Sequence, residues 1–292
     1  MYNKRMQKLQ LIPILGLFLC LPTFFLQAQN EKHLSVWVSI PPLAQFVEAL
    51  AGDLVTVDVL LPAGRSPHDY EPRPSQLVQL YNADLVVQLG TGLLVERMWM
   101  KLGKKSQNIC VAGQSISLIY GDHDSLNKHS HSKEEGDPHV WLSPVLAGEL
   151  LGVIAEDLMR LLPQYKEEIL RNYDTYERKL KDLDRQIKET CLYRASKTFF
   201  VNHPAWAYFT REYGLKQLPI EEHEQAPSAF HLKNYITALR HASQRIIFVS
   251  WGSSQKLAKE VAKQVDSTIW AVDPMARDYL ANMKKILEGL RQ

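Results

Sequence analysis

The sequence predicts an α/β protein: two Rossmann-like lobes with parallel sheets, joined by a long backbone α-helix. Strand-like apolar runs alternate with helical patterns in both halves of the chain, the arrangement that builds parallel layered sheets. Between the halves, Tyr165, Ile169, Tyr173, Tyr176, Leu180, Leu183 and Ile187 recur at spacings of four and three, one stripe of an amphipathic helix. The length expected of the mature chain also suits two domains better than one.

The N-terminus carries Lys4, Arg5 and Lys8, then an apolar run over residues 9–26 and the small residue Ala28. This order is expected of an export signal over residues 1–28, which places the mature protein in the periplasm. Two prolines interrupt the run, and it is short for a membrane span, which needs ~20 apolar residues. Cys20 is an alternative point of lipid attachment, but "LFL" before it lacks the small residues expected beside such a cysteine. The whole chain holds 34 Lys+Arg and 32 Asp+Glu; three of the bases and none of the acids lie in residues 1–28, so the remainder carries −1. No basic surface is implied, and nucleic acid is not an expected partner.

The first lobe is expected over residues 29–143. Residues 33–40 read as a buried strand, "PPLAQFVEALAG" as a helix ending near Gly52, and residues 55–61 as a second strand. After a turn-rich stretch come a short helix, "QLVQLYNA", a strand over 84–90, a helix carrying Glu96 and Trp99, and a strand over 108–112. Residues 113–137 break the rhythm. This polar segment is long for a connection inside a compact domain and holds His123, His129 and His131 among Asp122, Asp124, Glu134 and Glu135. It is either a weak secondary metal-capturing site or a solvated linker with incidental histidines.

Linking helices are expected over 144–190. The striped helix runs from residue 164 to about residue 188 and would be ~38 Å long. The second lobe, 191–292, repeats the alternation: strands over 197–202, 215–220, 245–250 and 267–273, with helices between them and a terminal helix starting near Arg277. Cys110 and Cys191 fall in different lobes without a CxxC partner, so two buried thiols are expected and a thiolate metal cluster is not.

Ligands of parallel α/β sheets bind outside the carboxyl ends of the strands. His68, His139, His203 and Asp273 all sit there in this reading, two from each lobe. Each has a proline beside it, in "SPHDY", "DPHVW", "NHPAW" and "VDPM", which stiffens the loop that carries it. Neutral imidazole and carboxylate are good zinc ligands in tetrahedral geometry. Tyr70, Trp141 and Trp206 are candidates for walling such a site from water. A single histidine is more often structural or exposed, the reading given to His33, His231 and His241, and Asp before Pro is often only a turn former.

At these residues the chain resembles the metal-binding receptors of bacterial ABC importers for zinc and manganese. "PHDYEPRPS", "DPHVWLSP", "VNHPAWAYFTREYGL" and "VDPMARDYLANM" resemble the family's ligand segments in order, over nearly the whole mature chain. The resemblance implies His68, His139, His203 and Asp273 as metal ligands and two lobes on a rigid helix that move modestly on binding. It also implies a membrane permease as partner, a monomer, and no enzymatic activity. Manganese receptors of this family carry a carboxylate at the third position; this chain has His203. Three nitrogens and one carboxylate suit Zn2+ better than Mn2+. His223 stands where the family commonly has glycine, as a surface residue or a second ion's ligand. Two rival readings remain: an adhesin or metal-buffering protein of the same fold, and a zinc hydrolase using three histidines and a carboxylate base. The hydrolase has neither an HExxH pair nor a GxSxG motif to support it.

Overall fold

The computed structural model describes residues 33–100, 108–120, 136–222, 226–250 and 255–292. The expected export signal over residues 1–28, with Cys20, and His123, His129, His131 and His223 lie outside the described residues.

The first half folds as β1 (Leu34–Val38), α1 (Pro41–Ala51), β2 (Val55–Val59), α2 (Pro74–Tyr81), β3 (Leu85–Gln88), α3 (Leu94–Met100) and β4 (Asn108–Val111). All pairings are parallel, in the order β2-β1-β3-β4, with Val36 opposite Val57 on one side and Leu85 on the other. The buried apolar run Val36–Val38 of β1 follows from this central place, since a strand covered on both faces has no polar side. α1 starts on Pro41 and Pro42, whose missing N–H groups would be unpaired in a first turn anyway. Gly52 ends it at φ +50°, a conformation that costs glycine little.

The order of strands reverses between β1 and β3, and Glu96 of α3 is buried at that point. Ser39 Oγ and the Leu89 amide each donate to its Oε1 at 2.7 Å, and the Gly90 amide donates to Oε2 at 2.9 Å. Burial raises the Glu96 pKa, and these three hydrogen bonds oppose the shift. The carboxyl thus ties the ends of the two central strands together.

Two helices connect the halves. α4 (Pro144–Leu161) begins at Ser143, whose hydroxyl accepts from the Leu146 amide, a normal N-cap. α5 (Lys166–Tyr193) is 28 residues long. Residues 163–165 form a tighter 3-10 turn before it, and the helix runs past the expected residue 188, so at ~1.5 Å per residue it spans ~42 Å. Its buried stripe is Ile169, Tyr176, Leu180, Leu183, Ile187 and Cys191. Both cysteines are free and buried. Burial raises the Cys110 thiol well above its usual range and Cys191 to about 11, so both stay protonated and inert.

The second half repeats the first: β5 (Thr198–Val201), α6 (Ala207–Glu212), β6 (Lys216–Pro219), α7 (Ala229–His241), β7 (Ile246–Ser250), α8 (Gln255–Val265), β8 (Thr268–Val272) and α9 (Tyr279–Arg291). Its sheet is parallel in the order β6-β5-β7-β8, the same winding as the first. α7 starts three residues earlier than the apolar pattern indicates, because the Ser228 hydroxyl caps it. α9 starts at Tyr279 with Asp278 as its cap, two residues beyond Arg277.

Side-chain alternation splits the second sheet between two cores. Phe199, Val201, Ile246 and Phe248 face a large core that continues through α5 and α4 into the first sheet. Phe200, Ile247 and Val249 face a smaller core under α7 and α8. Polar contacts also cross between the halves. Gln45 of α1 accepts from Tyr176 Oη at 2.7 Å and donates to Asp278 at 3.1 Å, and Arg277 pairs with Glu48.

Candidate metal centre

His68 lies in the turn after β2. The chain first continues the strand, with the Leu60 and Leu61 amides donating to Val38 and Ser39. Gln76 of α2 then braces the turn: it accepts from Tyr70 Oη at 2.6 Å and donates to the Leu60 carbonyl at 3.1 Å. The His68 amide closes a small turn on Ser66 Oγ at 3.2 Å.

His139 sits just before the 3-10 turn Val140–Leu142. Asp137, two residues earlier, accepts through one oxygen from both the His139 amide and His139 Nδ1, each at 2.8 Å. The fully buried Trp141 packs against the imidazole, ring centroids 5.3 Å apart, and its Nε1–H donates to the Pro274 carbonyl across the lobes.

His203 follows β5. Its backbone is set by Asn202, whose side chain accepts from the Ser250 amide at 2.9 Å. Its Nδ1 meets Glu221 Oε2 at 2.9 Å, and the Glu221 amide in turn donates to the Asn202 carbonyl at 3.0 Å. Asp273 ends β8. One of its oxygens accepts from the Met275 amide at 2.9 Å, and burial raises its carboxyl pKa while that hydrogen bond opposes the shift.

Three of these residues converge. His68, His139 and His203 each offer a ring nitrogen, and the three nitrogens lie within 4.8 Å of one another. His68 Nε2 and His139 Nε2 are 3.2 Å apart. Two nitrogens bound to one tetrahedral zinc at ~2.05 Å would lie ~3.3 Å apart. The first pair already has that spacing, and the third is within ~1.5 Å of it. Asp137 and Glu221 are acceptors, so Nδ1 of His139 and of His203 carries the hydrogen and Nε2 keeps its lone pair facing the centre. The His68 pKa is lowered to about 3, chiefly by burial, then by the charges His139 and His203 would carry, with Asp137 opposing. Burial thus favours the neutral form of His68, the form a metal ligand needs.

All four expected residues line one cavity of about 690 Å³, with Glu221 and Asn202. Asp273 is on its wall, outside the compact imidazole group. Of the aromatics expected to wall the site, Trp141 backs His139. Tyr70 instead braces the turn before α2, and Trp206 is core, packed on Phe199 and Phe209 at 5.7 and 5.8 Å. His231 is structural, buried with Nε2 on the Pro219 carbonyl at 2.8 Å, and His33 and His241 are exposed. Asp137 and Glu221 escaped the sequence reading. The "DPH" spacing contained the signal for Asp137. Glu221 lies two residues past the end of β6, which pairs with β5, so the strand-end rule that found His203 would have found it too.

A family model described as zinc-uptake complex component A, periplasmic (ZnuA), matches residues 36–292. The high-affinity zinc uptake system protein ZnuA of Bacillus subtilis is 31% identical over 282 residues, covering 88% of this chain and 86% of the relative. The zinc-binding lipoprotein AdcA of Streptococcus pneumoniae is 29% identical over 284 residues, covering 91% of this chain; the chain spans only 57% of that relative's length. A crystal structure of a ZnuA matches with a TM-score of 0.78 and 32% identity, over 88% of this chain and 97% of the other.

Proposed function

The chain belongs to the zinc-uptake complex component A family, and on that premise we propose that it is the high-affinity extracytoplasmic zinc receptor of an ABC importer. Family membership makes it a transport component and not an enzyme, which removes the hydrolase alternative. The observation that carries the reading is the convergence of three imidazoles from two lobes, two of them backed by carboxylates.

In this reading Zn2+ is cargo. His68 and His139 come from a lobe spanning residues 29–143 and His203 and Asp273 from a lobe spanning 191–292, with 144–190 linking them. His139 and His203 present Nε2 because Asp137 and Glu221 hold Nδ1–H, which fixes the tautomer and the ring orientation. His68 gives the third nitrogen, and Asp273 closes the tetrahedron with a carboxylate oxygen as the cleft tightens. Residues 1–28 direct export. A membrane permease then receives the ion by loosening the contacts between lobes. The receptor acts as a monomer. Three nitrogens and one oxygen favour Zn2+ over Mn2+.

The test is calorimetric. His139→Ala should weaken zinc binding by more than the ~10–100-fold that outer partners control. Wild-type affinity in this variant contradicts the assignment. In direct competition, zinc should displace manganese from the wild-type protein.

A further inference from the structure

Tyr208 stands five residues after His203, on α6 of the second half, and is fully buried. Its hydroxyl reaches into the first half. It donates to the Asp137 carbonyl at 2.6 Å and accepts from the Ile119 amide at 3.0 Å. The Asp137 amide donates directly to the Ile119 carbonyl at 2.8 Å. Ile119 and Asp137 are therefore paired by one direct hydrogen bond and one routed through the phenol. Burial pushes the Tyr208 phenol up to about 12, so it remains an O–H donor at working pH.

The residue so held is the one that orients His139. Asp137 Oδ1 fixes both the amide and Nδ1 of His139, and Thr91 Oγ1 donates to the Pro138 carbonyl between them at 3.2 Å. A shift of Asp137 moves the imidazole with it, and a ligand constellation tolerates only ~0.5 Å of such error. The helix that supplies the hydroxyl starts directly after the turn bearing His203. One arm of the site is thus registered against the other by a protein hydroxyl, before any ion joins them.

We propose that Tyr208 is a positioning residue of the zinc site, setting the Asp137–His139 arm in register with His203 across the two lobes. The proposal rests on the zinc reading above. It is distinct from a general packing role, since the ring fills the core whether or not the hydroxyl is present.

A double-mutant cycle on zinc affinity tests it. Tyr208→Phe should bind zinc ~10-fold more weakly, and Asp137→Ala ~10–100-fold more weakly, as outer partners of metal ligands do. Because Tyr208 holds residue 137 by its backbone carbonyl and the Asp137 carboxylate passes that placement to His139, the double variant should match Asp137→Ala within ~2-fold, a failure of additivity that marks coupled sites. Wild-type affinity in Tyr208→Phe overturns the proposal, and so does a ~10-fold loss that persists in the Asp137→Ala background. His139→Ala, measured alongside, separates this failure from failure of the zinc reading: zinc binding intact in that variant sinks the reading itself. Should Tyr208→Phe not fold, amide hydrogen exchange on the wild-type protein decides. By linkage, zinc must strengthen the bridge as much as the bridge strengthens zinc binding, so exchange at the Ile119 amide should slow ~10-fold on zinc loading. An unchanged rate overturns the proposal.

Discussion

The arms bearing His139 and His203 use the same device, a carboxylate behind Nδ1, but build it differently. Asp137 lies two residues from His139 in one turn, and the pair is almost sealed, with side chains 2% and 6% exposed. Glu221 reaches His203 from the end of a neighbouring strand, and that pair is 14% and 16% exposed. The first brace is local and deeply buried; the second depends on the pairing of β5 with β6 and is partly wetted. Electrostatic and hydrogen-bond effects grow as water is excluded. The His139 arm should therefore be the stiff reference of the site and the His203 arm the adjustable one.

The largest effect should come from removing whole ligands. His139→Ala and His203→Ala should each exceed the loss caused by removing either brace, as a zinc titration would read. Next come the braces. Asp137→Ala and Glu221→Ala should each weaken zinc binding ~10–100-fold, with Asp137→Ala the worse of the two. Equal losses, or the reverse order, would break the distinction between the arms. A smaller difference should appear in the metal-free proteins under denaturant. Asp137→Ala leaves the buried His139 amide without its acceptor and should cost ~1–3 kcal/mol, whereas Glu221→Ala, at a wetter site, should cost less.

A further test, on pH, concerns the third imidazole. His68 falls from an ordinary 6.5 to about 3 in the folded chain. Between those values the unfolded chain binds the proton and the folded chain does not, so stability of the metal-free protein falls as pH drops through that window. Above 6.5 both states are neutral at His68 and its contribution is flat. The urea midpoint of His68→Gln should accordingly decline less between pH 6.5 and pH 3 than that of wild type. Parallel curves would show that the His68 pKa is not lowered in the folded chain.

Much of this was legible in the sequence because it rests on periodicity. The apolar run of β1 and the stripe from Ile169 to Ile187 are one-dimensional signals, and the structure places them at the centre of a sheet and along one face of α5. The strand-end rule brought His68, His139 and His203 to one cavity because parallel winding puts all carboxyl ends on one side. What the sequence hid depends on contacts between distant segments. Glu221 meets His203 only through strand pairing, Tyr208 meets Asp137 only across the lobes, and Trp206 is drawn into the core by Phe199 and Phe209 although its neighbours in sequence suggested the site. The start of α7 was missed for a local reason: Ser228 caps a helix whose first turn is not apolar.

The most direct measurement is X-ray absorption at the zinc edge of the loaded protein. Three imidazoles and one oxygen at ~2.0–2.2 Å are expected, falling to two imidazoles in His203→Ala. A shell with fewer than three imidazoles in the wild type, or one unchanged by loss of His203, would contradict a centre shared between the lobes.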